Sequence, residues 1–282
     1  MTVDVDSWFS LIKFYSVNYD PQKADAQDGI VEGLNNLLQI FDKYEIKATF
    51  FTPAEVAIKH TMLIRKIHKL GHEVACHGLF HEKNEYLGTS LEQEQNIKRA
   101  TDIIRAIINW HPVGFRAPCL RINKATLDIL EKSGYLYDSS IVPTFVPGYY
   151  GFLFASKKPY RPSTRFITKK GLRKIVEIPV SVNPLVPLPL SAAWMRNLGL
   201  SWVKLGVKMN FIMGNPVVFY IHPRDVVQLP KVKGVPWHVY VNVGETAVKW
   251  LDQIIVYAKK MNAKFMRASD FVQYWSVYEA DE

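Results

Sequence analysis

Two cysteines in 282 residues leave no disulfide framework to build on. Cys76 and Cys119 form no Cys-x-x-Cys pair, and they read as small buried thiols of a reducing compartment. Each lies beside a motif described below, so a pairing between them stays open. Long hydrophobic runs are also missing. No stretch of about 18 uncharged apolar residues occurs, so a membrane-spanning helix is not expected. The opening residues, Met1-Thr2-Val3-Asp4-Val5-Asp6, have no basic segment, apolar core or cleavage site of a secretory leader. A cytoplasmic chain is the expectation. Internal repeats, low-complexity tracts and the familiar nucleic-acid motifs are lacking too, and nucleic acid ranks last among partners despite a net charge of +9.

What is present suits a globular protein. Hydrophobic residues make up 48% and charged residues 22%, enough apolar content for a sizeable core without disulfides or structural metals. Any metal ligands are therefore expected to be catalytic. Lys and Arg are spread along the chain as a solvated basic surface would have them, with an anionic partner as the functional alternative.

Strand and helix signals alternate, the pattern of βα units around a parallel sheet or barrel. Strands are expected at residues 3–6, 48–51, 73–76, 114–116, 136–138, 175–182, 217–221 and 264–266. Helices are expected at 29–44, 61–70, 90–109, 123–133 and 245–261, with Ser90 as N-cap and Gln93 completing its capping box. Residues 142–214, rich in Pro, Gly and aromatics, read as loops and short helices inserted into one domain spanning 1–282. Within them, residues 194–213 read as core packing, with peripheral membrane contact as the alternative.

Asp4 and Asp6 flank Val5, so on a strand both carboxylates project to one face and need a cation or a shared proton to coexist. His77 and His81 stand at i and i+4, one turn apart if helical, a spacing suited to one metal ion. His72, before the same strand, is expected to be structural. Arg116, in Gly114-Phe115-Arg116-Ala117-Pro118, ends a strand, where it is either a surface charge or a planar partner for a carboxylate. Asp138 and His222 end two further strands. All fall where a parallel barrel keeps its catalytic face.

In this order the motifs resemble the polysaccharide deacetylases, carbohydrate esterase family 4 or the NodB-like homology domain. The likeness runs from residue 2 to about 275. It implies an α/β fold, a single distorted (β/α) barrel with mostly parallel strands. It implies a metal-dependent hydrolase that removes an N-acetyl or related N-acyl group from a sugar, glycan or glycolipid. Asp6, His77 and His81 would bind one divalent metal, with Zn²⁺ ranked first and Fe²⁺, Co²⁺ or Ni²⁺ also compatible. Asp4 would be the general base with Arg116 orienting it, and His222 the general acid with Asp138 tuning its protonation. Two departures stand out: Asp4-Val5-Asp6 replaces an Asp-Asp dipeptide, and Gly78 follows His77 where Ser or Thr is commoner. A small-molecule amidohydrolase, such as an allantoinase-like or deformylase-like enzyme, and a silent carbohydrate-binding domain are the alternatives. Tyr149, Tyr150, Phe152, Phe154, Tyr160, Trp194 and Trp202, with Lys157, Lys158, Arg161, Arg165, Lys169, Lys170, Arg173 and Lys174, suggest a phosphate-linked or lipid-linked acetylated sugar.

Overall fold

The computed structural model describes residues 1–17 and 29–279. Its centre is a sheet of seven parallel strands, curled into a half-barrel with helices packed around it. The strands are β1 (Thr2–Asp4), β2 (Thr49–Thr52), β3 (Glu73–Cys76), β4 (Gly114–Phe115), β5 (Tyr137–Asp138), β8 (Val176–Glu177) and β9 (Tyr220–Ile221). Their spatial order is β8-β5-β4-β3-β2-β1-β9. A separate two-stranded hairpin pairs β6 (Phe145–Val146) with β7 (Tyr150–Gly151). The helices are α1 (Phe9–Phe14), α2 (Ile30–Lys43), α3 (Ala54–Lys59), α4 (Thr61–Lys69), α5 (Ser90–Ile108), α6 (Lys124–Lys132), α7 (Ala192–Leu198), α8 (Leu200–Ile212), α9 (Glu245–Lys260) and α10 (Ala268–Glu279).

The sheet strands are short and apolar on both faces, as strands covered on both sides must be: Val3, Phe50, Phe51, Val74, Ala75 and Phe115 are all buried. On α2, Leu34, Leu37, Leu38 and Phe41 form the stripe that covers the sheet. The half-barrel stays open between β8 and β9, and Ser181 bridges that seam. Its N–H donates to the Val218 carbonyl (3.2 Å), and its Oγ accepts from the Val218 N–H (2.8 Å).

Several elements differ from the sequence expectation for identifiable reasons. Residues 175–182 supply only Val176–Glu177, because Pro179 has no N–H to continue a ladder. Residues 217–219 run along the seam, and the strand is confined to Tyr220–Ile221. Residues 264–266 form no strand and line an apolar cavity of about 370 Å³ behind the barrel. The α5 cap is Thr89 with Glu92, one residue earlier than expected: each side chain takes the other's backbone N–H. Helices α1 and α3 are only six residues long, too short to carry a readable period. Residues 142–214 are not set apart from the barrel, since β8 pairs with β5 and Met195 and Val203 join the main core. On α8, Val203, Gly206, Val207 and Asn210 are buried, while Leu205, Phe211 and Ile212 face outward. No helix among the described residues is long and apolar enough to cross a membrane.

Helix α2 lies directly on the turn that follows β9. A Cβ at Gly33 would stand 2.2 Å from the Pro223 carbonyl oxygen, and Asn36 Nδ2 donates to the Val226 carbonyl (3.0 Å). Gly33→Ala is therefore expected to cost about 1–3 kcal/mol in denaturant unfolding, as overpacking against backbone does. Gly151→Ala, where an added Cβ meets nothing within 4 Å, serves as the near-neutral control.

His72 is buried beside Phe50, and its Nδ1 accepts the Ala48 N–H (3.1 Å). Burial, helped by Lys47, holds its pKa down to about 4. Its contribution to stability is thus present above the unfolded value near 6.5 and is lost as pH falls toward about 4. Urea midpoints of His72→Asn should fall less steeply across that window than those of the wild type.

Candidate metal and catalytic centre

The residues singled out by sequence converge at the C-terminal ends of the parallel strands. Asp4 ends β1 and Asp6 lies just beyond it; His77 follows β3, Arg116 follows β4 and His222 follows β9. A cavity of about 570 Å³ opens over them, lined by Asp4, Asp6, His77, His81 and His222 among others.

Arg116 is wholly buried, and its donors are distributed with little to spare. Nη1 reaches Asp4 Oδ1 (2.6 Å) and Thr2 Oγ1 (3.0 Å), Nε reaches the Ser139 carbonyl (2.9 Å) and Nη2 reaches Ser139 Oγ (2.9 Å). Its guanidinium lies over the Phe51 ring at 4.1 Å. Burial opposes ionisation of Asp4, yet the charges of Arg116, His77 and His222 outweigh it and hold the carboxyl below its usual range.

His77 and His81 meet without a helix. Residues 77–82 form a loop in which Gly78 takes φ +81° and His81 φ +52°. A Cβ at Gly78 would come within 3.0 Å of Pro118 and Glu85, so Gly here answers a local geometric need. The Glu85 carboxylate gathers the loop by accepting the N–H groups of Leu79 (2.6 Å), Phe80 (3.2 Å) and Glu82 (3.2 Å). His77 Nδ1 lies 2.7 Å from the Arg116 carbonyl, which fixes the ring and leaves Nε2 for another partner. Burial pushes His77 down to about 4 and also lowers His81, so both imidazoles are neutral near pH 7 with lone pairs to offer.

One ligand atom each from Asp6, His77 and His81 lies within 4.8 Å of the other two. Asp6 Oδ1 and His81 Nδ1 are buried without a hydrogen-bond partner among the described residues. Two neutral imidazoles, a carboxylate and an orphaned buried oxygen fit a divalent cation. Asp6 Oδ2 is shared with Arg224, whose Nη1 donates to it. Burial works against the Asp6 charge, but Arg224, His222 and His81 keep its carboxyl well below the usual range.

His222 sits across Asp6, with Nε2 3.7 Å from Oδ1. Its Nδ1 faces Asp225 Oδ2 at 3.1 Å, and Asp225 in turn meets buried Arg196 through Nε (3.0 Å) and Nη2 (2.9 Å). Asp138, expected beside His222, lies elsewhere. It accepts from Ser140 Oγ (2.7 Å) and the Ser140 N–H (3.2 Å), while Ser140 Oγ accepts the Ala117 N–H (2.8 Å). Burial raises Asp138 and, with the Asp138 charge, pushes Glu177 far up, so these two acids form a buried carboxyl pair beneath the Arg116 segment.

Sequence inspection missed Arg224, Asp225 and Arg196. The first two belong to the His222-Pro223-Arg224-Asp225 turn, where Asp225 stands at capping-box spacing from His222 and accepts its N–H (2.9 Å). Arg196 had no such signal. The cavity wall was only partly foreseen. Tyr149 and Trp194 line it, joined by Phe14, Tyr15, Trp237 and His238, whereas Phe152, Phe154, Tyr160 and Trp202 do not. None of Lys157, Lys158, Arg161, Arg165, Lys169, Lys170, Arg173 and Lys174 reaches it, so the geometry gives the basic segment no part in this cavity. Cys119 lines it as a free thiol, and Cys76 is a free buried one.

Comparison with known proteins gives the same picture. Residues 25–137 match the family model for polysaccharide deacetylase, and residues 139–272 match a domain of unknown function (DUF3473). The peptidoglycan deacetylase of Helicobacter pylori is 24% identical over 280 residues, which span 88% of this chain and 94% of that protein. A solved structure from Mycobacterium smegmatis, assigned to the polysaccharide deacetylases, has a TM-score of 0.71 at 23% identity and covers 99% of this chain and 90% of its own. Puue allantoinase has a TM-score of 0.67 at 17% identity, over 98% and 83%. At these identities the solved structures speak for the fold, and the sequence matches speak for descent. Residues 25–137 thus carry the polysaccharide deacetylase family model, and nearly the whole chain shares its fold with the solved structure assigned to that family.

Proposed function

We propose that the protein is a metal-dependent hydrolase that removes an N-acetyl or related N-acyl group from an amino sugar or glycan. The observation that carries this is the convergence of Asp6, His77 and His81 within 4.8 Å, beside an Asp4 carboxylate kept ionised by Arg116. A divalent cation on those three residues, with Zn²⁺ ranked ahead of Fe²⁺, Co²⁺ and Ni²⁺, would supply Lewis acidity for a water and an acyl carbonyl.

The chain's own residues supply the rest. Asp4 accepts the proton of the attacking water, and Arg116 holds the carboxylate in place without protonating it. His222 gives a proton from Nε2 to the departing amine, which leaves poorly as an anion. Asp225 takes the orienting place on His222 Nδ1, and Asp138 with Glu177 supports the backbone that follows Arg116. The aromatic wall of Phe14, Tyr15, Tyr149, Trp194 and Trp237 offers faces on which a sugar ring can stack.

Acetate release from N-acetylglucosamine oligomers, peptidoglycan and a small cyclic amide, each with several divalent metals, tests the assignment. Turnover of the cyclic amide alone would overturn the sugar substrate. Chelation should abolish activity, and elemental analysis of His77→Ala/His81→Ala should show lost metal with an unchanged far-UV spectrum. Full occupancy in that variant would remove the metal site.

Asp4→Asn should lower kcat about 10²- to 10⁴-fold with metal retained, the usual reach of general acid–base catalysis. His222→Ala should lower kcat on an amide far more than it raises KM. The same variant should lose much less on an activated aryl acetate, whose leaving group needs no proton. Equal losses on amide and ester would show that His222 is not the acid.

A further inference from the structure

Net charge is distributed unevenly in this chain, because acids are nearly absent from one stretch. Residues 139–224 hold twelve Lys and Arg and a single acid, Glu177, while the whole chain is at +9. The remainder is therefore slightly acidic, and the basic character resides in this one region. Only Arg196 and Arg224 of the twelve line the catalytic cavity, and both meet carboxylates there.

Much of the remaining charge is gathered on a loop folded back on itself, residues 161–174. Its limbs are joined by an antiparallel bridge between Pro162 and Lys170, with the Ser163 N–H donating to the Lys169 carbonyl (2.8 Å) and the Gly171 N–H to the Arg161 carbonyl (2.8 Å). Its root is fixed to the barrel. Tyr160 pairs with Glu177 of edge strand β8, and the Tyr160 hydroxyl donates to the Ile167 carbonyl (2.8 Å). Arg173 is neutralised at the base by Asp128 (2.6 Å) and Glu131 (3.3 Å) of α6.

Arg165, Lys169, Lys170 and Lys174 are exposed, and no carboxylate pairs with them among the described residues. Between these cations stand Leu172, 95% exposed, and Phe166, 55% exposed. Phe166 also carries the Arg165 guanidinium over its ring at 5.1 Å, whereas a solvated basic face has no use for a bare leucine between its charges. A surface that meets anionic headgroups and inserts apolar side chains beneath them needs both.

We infer that residues 161–174 form a docking surface for an anionic lipid bilayer. The cations face the headgroups, and Leu172 and Phe166 enter the boundary with the acyl chains. A soluble polyanion would account for the cations and leave Leu172 without a role, so the bilayer is the better match. The inference does not depend on the reaction proposed for the cavity.

Sedimentation of the full chain with vesicles of phosphatidylcholine containing phosphatidylglycerol, at low ionic strength, tests it. Binding is expected to the mixed vesicles, to fade with added salt, and to be absent with phosphatidylcholine alone. Lys169→Ala/Lys170→Ala should weaken partitioning about 25-fold, at about fivefold per charge. Phe166→Ser/Leu172→Ser should weaken it about tenfold or more, through lost apolar burial. Both variants should retain wild-type turnover of a soluble substrate, since none of these residues touches the cavity. Failure of the wild type to bind mixed vesicles would overturn the proposal. So would undiminished binding by the Phe166/Leu172 variant, which would mark the loop as a site for soluble polyanions.

Discussion

At the middle of the molecule a fully buried guanidinium divides its hydrogen bonds between the ends of two strands. Arg116 holds Thr2 and Asp4 of β1 and Ser139 after β5, while its own carbonyl fixes His77 after β3. An unpaired charge in that position would be costly, and removing one partner of such a buried pair typically costs about 3–5 kcal/mol. The demand of Arg116 for partners therefore sets where β1, β4 and β5 end and which way their terminal side chains face. The same contacts keep Asp4 ionised and aim His77 into the cavity, so one electrostatic requirement organises both the strand ends and the two chemical groups between them.

Asp6 is held by a different logic. Its two oxygens are divided: Oδ2 goes to Arg224, and Oδ1 is buried beside His222 without a hydrogen-bond partner among the described residues. Arg224 and His222 come from one turn, which closes on itself through Asp225 and is pressed into place by α2 at Gly33. Arg196 of α7 completes the assembly. It clamps Asp225 and donates to the carbonyls of Val239 (3.0 Å) and Val241 (2.7 Å). The orientation of His222 is thus tied to the wall that carries Trp237 and His238, two residues that face the same cavity.

The extent to which this was legible in sequence follows the range of each interaction. Glu73–Cys76 and the flanking helices carry local periodicity, and they appear in the structure with almost the boundaries read from the chain. Asp4, Asp6, His77, Arg116 and His222 were legible because a parallel sheet exposes its functional side chains at strand C-termini, where apolar runs stop. The His77–His81 spacing suggested a helix, yet a loop gathered by Glu85 brings the rings to a 5.0 Å centroid separation. Asp138 shows the converse limit. Its position at a strand end was readable, but its partner was set by Ser140 and Glu177, and the long-range packing of α7 gave Arg196 and Asp225 their places instead.

Charge balance links the cavity to the rest of the surface. Asp4, Asp6 and Asp225 each meet one arginine, Arg116, Arg224 and Arg196 respectively. Three carboxylates and three guanidiniums leave the buried centre close to neutral before any cation is added. A basic chain would ordinarily focus its field into such a cleft and favour anions there. Here the internal pairing removes that bias. The excess of positive charge is free to act on the outside, where the loop after Tyr160 carries it beside exposed Leu172 and Phe166. A near-neutral cavity and a basic outer loop are consistent with one another because the arginines at the cavity are already paired with carboxylates.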